Sequence, residues 1–316
     1  MNVLVTGATG LIGRALIDRL LERGDHVRVL SRDPDAARVL LPAGVRAFPW
    51  DPKREDPPTL AVAGVDAVVH LAGEPIAAGR WSVARKREIV ESRVEPTRRL
   101  AMALAAQRVK TKVLVSASAV GFYGNRGDEA VLEDAARGSG FLADVCAAWE
   151  DAARPAADAG IRVVHPRIGI VLAREGGALP KMALPFRFGA GGTLGSGTQW
   201  FPWIHLDDVV GLLIHAIDQS SVRGAMNTTA PIPVTNRELT RTLGRALHRP
   251  AVAAVPRIAL KLAMGEMAEM LLGGQYALPA KALETGYRFR FSTLDDALAD
   301  LFPAKDAARA HKEKAA

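Results

Sequence analysis

Val3-Leu-Val-Thr-Gly-Ala-Thr-Gly-Leu-Ile-Gly13 carries a short apolar strand into three glycines, Gly7, Gly10 and Gly13, and from there straight into an amphipathic helix. Each glycine answers a separate steric demand of a bound pyrophosphate. Gly7 permits the tight turn, Gly10 lets the backbone approach the phosphates with no side chain between, and Gly13 lets the helix lie close on its strand. The first turn of that helix offers unpaired N–H groups to the anion. A glycine triplet alone is a weak signal, because glycine also serves ordinary turns. Strand, loop and helix in the required order read as a dinucleotide cradle. Its expected contacts are Gly7, Thr9, Gly10, Leu11, Ile12 and Gly13.

The second strand, residues 26–30, ends at Ser31-Arg32-Asp33. A carboxylate at this strand tip accepts hydrogen bonds from an adenosine ribose 2′-hydroxyl, whereas an arginine pairs with a 2′-phosphate. Arg32 comes first and favours NADP over NAD, with Ser31 adding a phosphate hydrogen bond. Asp33 argues the other way, and a merely solvated Arg32 is the plain alternative.

A chain of 316 residues has room for one large or two moderate domains with a substantial core. Forty-one Lys and Arg against 34 Asp and Glu give a formal charge of +7, but the excess is scattered and partly lies in residues 305–316. Without a basic block interleaved with aromatics, nucleic acid is not the expected partner; a small molecule is. The single cysteine, Cys146, excludes an intramolecular disulfide and a cysteine-rich metal site, and fits a reducing compartment. A strand at the very start leaves no signal peptide to expect. The longest apolar candidate, residues 258–272, is interrupted by Lys261, Glu266 and Glu269, so no membrane span is expected and the cytoplasm is the default.

Strand and helix alternate along the first two-thirds: strands at 66–71, 112–115 and 161–165, helices at 83–106 and 141–159. This predicts an α/β, Rossmann-type doubly wound parallel sheet. Residues 1–166 would form the NADP-binding core, 167–302 would complete it and build a smaller substrate lobe, and 303–316 would be a disordered tail. Helices 83–106 and 141–159 would pair across a two-fold interface if the chain is a homodimer; a monomer is equally compatible.

In such sheets ligands lie beyond the carboxyl ends of the strands. Three segments there stand out: Leu71-Ala-Gly-Glu74, whose small residues let the backbone run beside a cofactor; Ser116-Ala-Ser-Ala-Val-Gly-Phe-Tyr-Gly124; and Pro166-Arg-Ile-Gly169, read as lining the nicotinamide end or holding a structural ion pair. Thr6-Gly-Ala-Thr-Gly-Leu-Ile-Gly13, the Ser118 to Gly124 part of the second segment, and Trp203-Ile-His-Leu-Asp-Asp-Val209 resemble the extended short-chain dehydrogenase/reductases, the NAD(P)-dependent sugar-nucleotide epimerases and dehydratases. Leu71-Ala-Gly-Glu-Pro-Ile76, Arg80-Trp81, Pro185-Phe-Arg-Phe-Gly-Ala-Gly-Gly192, Gly195-Ser-Gly197 and Leu272-Gly-Gly-Gln275 narrow this to an atypical, NADP-binding, epimerase-like subfamily. The resemblance implies that Ser31, Arg32, Leu71, Ala72, Glu88 and Arg93 also face the cofactor; Gly73 and Pro166 complete the expected set.

By the same resemblance, catalysis calls for a serine, a tyrosine and a lysine four residues after the tyrosine, which lowers the phenol pKa for proton transfer. Ser118 matches the serine. The Tyr-x-x-x-Lys element is missing: Phe141 or Gly140 stands at the tyrosine position and Asp144 or Val145 at the lysine position. Tyr123 either substitutes as acid or base or packs its ring and donates one hydrogen bond. For the substrate, the glycine-rich stretch 189–197 with Trp200 and His205 is the leading candidate, and Lys181 a neutralising cation, against the plain readings of interlobe packing and a solvated lysine. Asp207 or Asp208 reads first as a helix N-cap. His70, His165 and His215 have apolar neighbours and read as structural, and no metal site is expected.

Two functions follow. One is an NADP-dependent, epimerase-like oxidoreductase using Ser118 and Tyr123 on a small, nucleotide-sugar-like substrate. The other is a non-catalytic NADP(H) sensor or scaffold, supported by the missing Tyr-x-x-x-Lys, with a link to cell division implied by resemblance alone.

Overall fold

A computed structural model describes residues 1–109 and 111–303. Among the described residues eight parallel strands form its central sheet: seven run in the spatial order Arg46–Pro49, His26–Ser31, Asn2–Thr6, Ala67–His70, Val113–Ser116, Arg162–Ile168 and Gly224–Thr228, and the short Ser118–Ala119 pairs with Arg162–Ile168. The chain winds outward on one side of Asn2–Thr6 and then crosses to the other, placing the topological switch between Asn2–Thr6 and Ala67–His70.

Because successive strand residues point to opposite faces, the apolar runs supply two cores at once. Val3, Val5, Val29, Val69 and Val115 face the helices Leu11–Glu22 and Leu206–Asp218 through Leu16, Ile17, Leu20, Leu212 and Leu213. Leu4, Leu30, Val68 and Leu114 face the helix Val83–Ala105 through Leu100 and Leu104, with Trp50, Ala153 and Ala156 closing that layer. The chain beyond residue 166 thus both returns to the sheet, as helix Leu206–Asp218 and strand Gly224–Thr228, and on either side of that return contributes to a lobe of its own around Leu172, Phe186, Trp203, Leu239, Leu243 and Phe291. Arg162 ties the two together, donating to the C-terminal carbonyls of Ala216 and Ile217.

Several boundaries differ from the sequence reading. The strand expected at 161–165 continues through Pro166 to Ile168. Arg162 N–H donates to Lys112 and Gly169 N–H to Thr228, so the even-numbered residues of this strand face Val113–Ser116. The ladder on that side stops at Val164 and resumes at Arg167 opposite Ser118. Pro166 falls in the gap, where a missing N–H forfeits no ladder bond. The helix expected at 141–159 divides into Phe141–Asp151 and Arg154–Asp158, with Pro155 in the first turn of the second. Helix Leu206–Asp218 is capped by His205, whose Nδ1 accepts from Asp207 N–H, and not by Asp207 or Asp208. Asp208 is instead buried, accepting from the backbone N–H of Arg290 and Phe291 and the hydroxyl of Tyr287. Residues 304–316, most of the expected disordered tail, lie outside the described residues. Among the described residues no helix is long and apolar enough to cross a membrane.

Candidate functional site

The first strand, its glycine loop and the next helix form a cradle made of backbone. Gly7 has a φ of +67°, and a Cβ on it would lie 2.8 Å from the Leu71 carbonyl and 2.9 Å from the Ala72 nitrogen. A Cβ on Gly13 would lie 2.3 Å from the Gly7 oxygen, so the helix sits directly on the turn. Gly10 occupies the N-cap of Leu11–Glu22 with no side-chain cap, leaving the first-turn N–H groups to an incoming anion. Thr9 and Gly10 are exposed and Leu11 partly so. Ile12 faces the core instead. Gly176 and Gly177 lie over the Leu11 side chain, bringing the second lobe to the edge of the cradle.

At the adenosine end, Ser31 and Asp33 are turned inward on the chain. Ser31 Oγ donates to the Asp33 carbonyl, and the Asp33 carboxylate caps the helix Pro34–Leu40 by accepting from Ala36 N–H at 2.9 Å. Arg32, by contrast, reaches into solvent with its side chain 71% exposed, 3.6 Å from the Glu74 carboxylate. Leu71 and Ala72 run beside Gly7, and Ala72 N–H donates to Thr6 Oγ1. Thr6 Oγ1 in turn meets His70 Nδ1 at 2.6 Å; burial pulls the His70 pKa down to about 4 and keeps the ring neutral. Arg93 is buried behind this loop, donating to the carbonyls of Glu74 and Ile89 and stacking on Trp149, while Gly73 lies against its guanidinium. Glu88 pairs with Arg85 at 2.6 Å, and Arg85 also reaches the Pro75 carbonyl. These contacts order the 71–76 loop along the cradle.

A second polar region follows the strand Val113–Ser116. Ser118 donates to Glu150 at 2.7 Å, Glu150 pairs with Arg167 through two hydrogen bonds of 2.9 Å, and Arg167 donates to the Tyr123 hydroxyl, which donates to Asn227 at 2.6 Å. Arg167 also lies over the Phe122 ring, 3.5 Å from its centre. Tyr123 is fully buried, and desolvation raises its phenol pKa against the pull of Arg167. Ser118 is 2% exposed. From helix Phe141–Asp151, Leu142 and Cys146 face Gly121, and Glu150 meets Ser118: one stripe at four-residue spacing. Of the positions read in the sequence, Phe141, Asp144 and Val145 lie on this helix and Gly140 is its N-cap, while the side chains facing Gly121 are Leu142 and Cys146. The Cys146 thiol is pushed up to about 11 by burial.

The candidates of the second lobe are brought to the site only in part. Trp200 stacks on Tyr276 with ring centres 4.3 Å apart and donates to Asp128. His205 is buried, capping its helix and packed on Phe291, with Asp300 3.4 Å from its Nε2; burial lowers its pKa. Lys181 is exposed on the helix Leu179–Arg187. Two glycines of 189–197 serve packing: a Cβ on Gly191 would strike the Phe186 ring, and one on Gly192 would lie 1.8 Å from the Ala253 oxygen. Pro166, read as a strand-end residue, is buried two places inside its strand, so Gly169 is the residue that leaves the sheet. Among the described residues no three His, Cys, Asp or Glu side chains converge as a metal set.

The model of the NAD dependent epimerase/dehydratase family matches residues 3–228, and a domain of unknown function, DUF1731, matches residues 255–301. The chain belongs to the NAD dependent epimerase/dehydratase family. Epimerase family protein ML0860 of Mycobacterium leprae is 42% identical over 299 residues, covering 94% of both chains. Epimerase family protein SDR39U1 of Homo sapiens is 39% identical over 308 residues, covering 95% of this chain and 99% of its own. The crystal structure of the human protein with NADPH superposes with a TM-score of 0.86 over 95% of this chain and 99% of that one, at 38% identity. This confirms the epimerase-like, atypical extended short-chain dehydrogenase/reductase fold expected from the motifs. Two features of this family member escaped the sequence reading. Asp33 before Pro34 is a cap signal, acid at N-cap and proline at N1, that was open to notice. Glu150 carries no local signal: only the helix stripe facing Ser118 brings it into the site.

Proposed function

We propose that this epimerase-family chain binds NADP(H) across the carboxyl ends of its strands and acts as an oxidoreductase or epimerase-like enzyme on a small, nucleotide-sugar-like substrate in the cytoplasm. One observation carries the cofactor choice: Asp33 is engaged in a helix cap while Arg32 stands exposed at the strand tip, its guanidinium 3.6 Å from Glu74. The glycine cradle fits a diphosphate: Gly7 and Gly13 let the turn lie against Leu71 and the helix lie on the turn, and Gly10 at the N-cap leaves the first-turn N–H groups uncovered. The human relative crystallised with NADPH supports the same choice.

When bound, the nicotinamide supplies or takes a hydride. The chain's part is to place the reacting oxygen and its proton. Glu150, neutralised by Arg167, takes the Ser118 proton into a hydrogen bond, which fixes the serine rotamer and leaves its oxygen lone pairs to accept from a substrate hydroxyl. Tyr123 has its hydroxyl engaged by Arg167 and Asn227 and serves as a structural strut, the second of the two roles open to it. Trp200 and His205 likewise shape the lobe. The sensor reading is favoured by one observation, that the helix stripe facing Gly121 and Ser118 presents Leu142, Cys146 and Glu150 and neither a phenol nor an ammonium.

Calorimetry with NADPH and NADH tests the cofactor: Arg32→Ala is expected to weaken NADPH about tenfold, the order of one charge-assisted hydrogen bond, and to spare NADH. Equal loss for both would remove the phosphate contact. For chemistry, a panel of carbonyl and nucleotide-sugar compounds followed by nicotinamide absorbance is expected to show turnover abolished by Ser118→Ala. Cofactor binding with no turnover across the panel would make the protein a sensor.

A further inference from the structure

We propose that Glu74 sets how strongly this chain prefers the phosphorylated over the unphosphorylated dinucleotide. The inference rests on the reading above, in which Arg32 holds the 2′-phosphate. With Asp33 turned to its cap, the carboxylate left at the adenosine end comes from a different strand's loop. Glu74 lies 3.6 Å from Arg32, with its side chain 25% exposed against 71% for the arginine.

The backbone of Glu74 has little freedom to retreat. Its N–H donates to Ser92 Oγ at 3.2 Å and its carbonyl accepts from Arg93 at 2.9 Å. Ser92 and Arg93 are both buried on the helix Val83–Ala105, and Arg93 is itself anchored on Ile89 O. The carboxylate is therefore presented to Arg32 from a fixed base. A 2′-phosphate has to draw Arg32 away from Glu74 and then bears its negative charge beside that carboxylate. An unphosphorylated ribose meets neither cost, and its 2′-hydroxyl can donate to the carboxylate. Glu74 thus opposes the cofactor that Arg32 selects, and the pair together sets the preference. Both groups are partly solvated, so the effect belongs with exposed ion pairs, at most about fivefold in affinity.

The test is calorimetry with NADPH and NADH on the full chain, for wild type, Glu74→Gln, Glu74→Asp, Arg32→Gln and the double variant Arg32→Gln/Glu74→Gln. Glu74→Gln is expected to tighten NADPH about fivefold and to leave NADH within about twofold. Glu74→Asp, which keeps the charge but withdraws it by one methylene, should fall between. In the Arg32→Gln background the gain should shrink, because the competition for the guanidinium is gone. An NADPH-to-NADH ratio unchanged by Glu74→Gln, with wild-type melting, overturns this inference and leaves the cofactor assignment standing. Wild-type protein that binds neither dinucleotide, or whose ratio ignores Arg32→Gln, overturns the assignment itself. Should Glu74→Gln fail to fold, raising salt on wild type must narrow the NADPH gain from Glu74→Asp; a gain unmoved by salt overturns the proposal.

Discussion

The glycine cradle and the Ser118–Tyr123 region lie at the carboxyl end of the same sheet, yet they are built on opposite principles. The cradle is backbone: its shape follows from what glycine omits at positions 7, 10 and 13, and each omission has a neighbour within van der Waals reach to explain it. The other region is side chain: a chain of buried hydrogen bonds from Ser118 through Glu150 and Arg167 to Tyr123 and Asn227, spanning residues 109 positions apart from 118 to 227. A backbone site is open toward its ligand by construction. A side-chain network spends its functional groups on one another, and residues with the right chemistry become struts.

The largest expected effect breaks the network. Arg167→Met leaves Glu150, a mostly buried carboxylate, without its cation and should cost about 3 kcal/mol in urea unfolding. Adding Glu150→Leu should recover part of that loss; no recovery would mean that the pair is not what holds the region together. Next is pH. Burial lowers the folded-state pKa of His70 to about 4 from 6.5, so the unfolded chain binds the proton first. Stability from this group is full above pH 6.5 and drains away as pH falls toward 4, by about 3 kcal/mol. In His70→Leu the slope of unfolding free energy across that window should flatten; an unchanged slope would assign the acid lability elsewhere.

Smaller effects belong to the cradle. Gly13→Ala sets a Cβ against the Gly7 oxygen, and the clash should outweigh the better helix propensity of alanine. A loss of about 2 kcal/mol and of NADPH affinity is expected, read by thermal melting and calorimetry. The smallest is Asp33→Ala, a lost cap of about 1 kcal/mol with no change in NADPH-to-NADH preference. A shift toward NADPH there would return Asp33 to the ribose.

The same contrast explains what could be read from residues alone. Residues 3–13 carried the fold and the shape of the glycine cradle, because strand, turn and close helix approach are local and steric. Gly7 and Gly13 needed no tertiary knowledge. Ser118 and Tyr123 were legible as chemical types, but their partners were not, since Glu150, Arg167 and Asn227 reach them from three other elements. His205 took the cap expected of Asp207 or Asp208 because a ring nitrogen on the residue before the helix reached Asp207 N–H first, freeing Asp208 to anchor the segment at Arg290 and Phe291. Pro166 looked like a strand end and was a strand interior, an outcome set by the broken ladder of its neighbour. The outward faces of the two helices offered for a dimer carry the exposed Arg87, Glu91, Arg98, Asp144 and Asp151.

Cys146 sits behind Gly121, 4% exposed, in a chain with no other thiol. Any maleimide adduct must form there, after the helix lifts from the sheet end. Labelling rate therefore clocks the opening of this one seam, and ligands that hold the helix on the sheet end will announce themselves by slowing it.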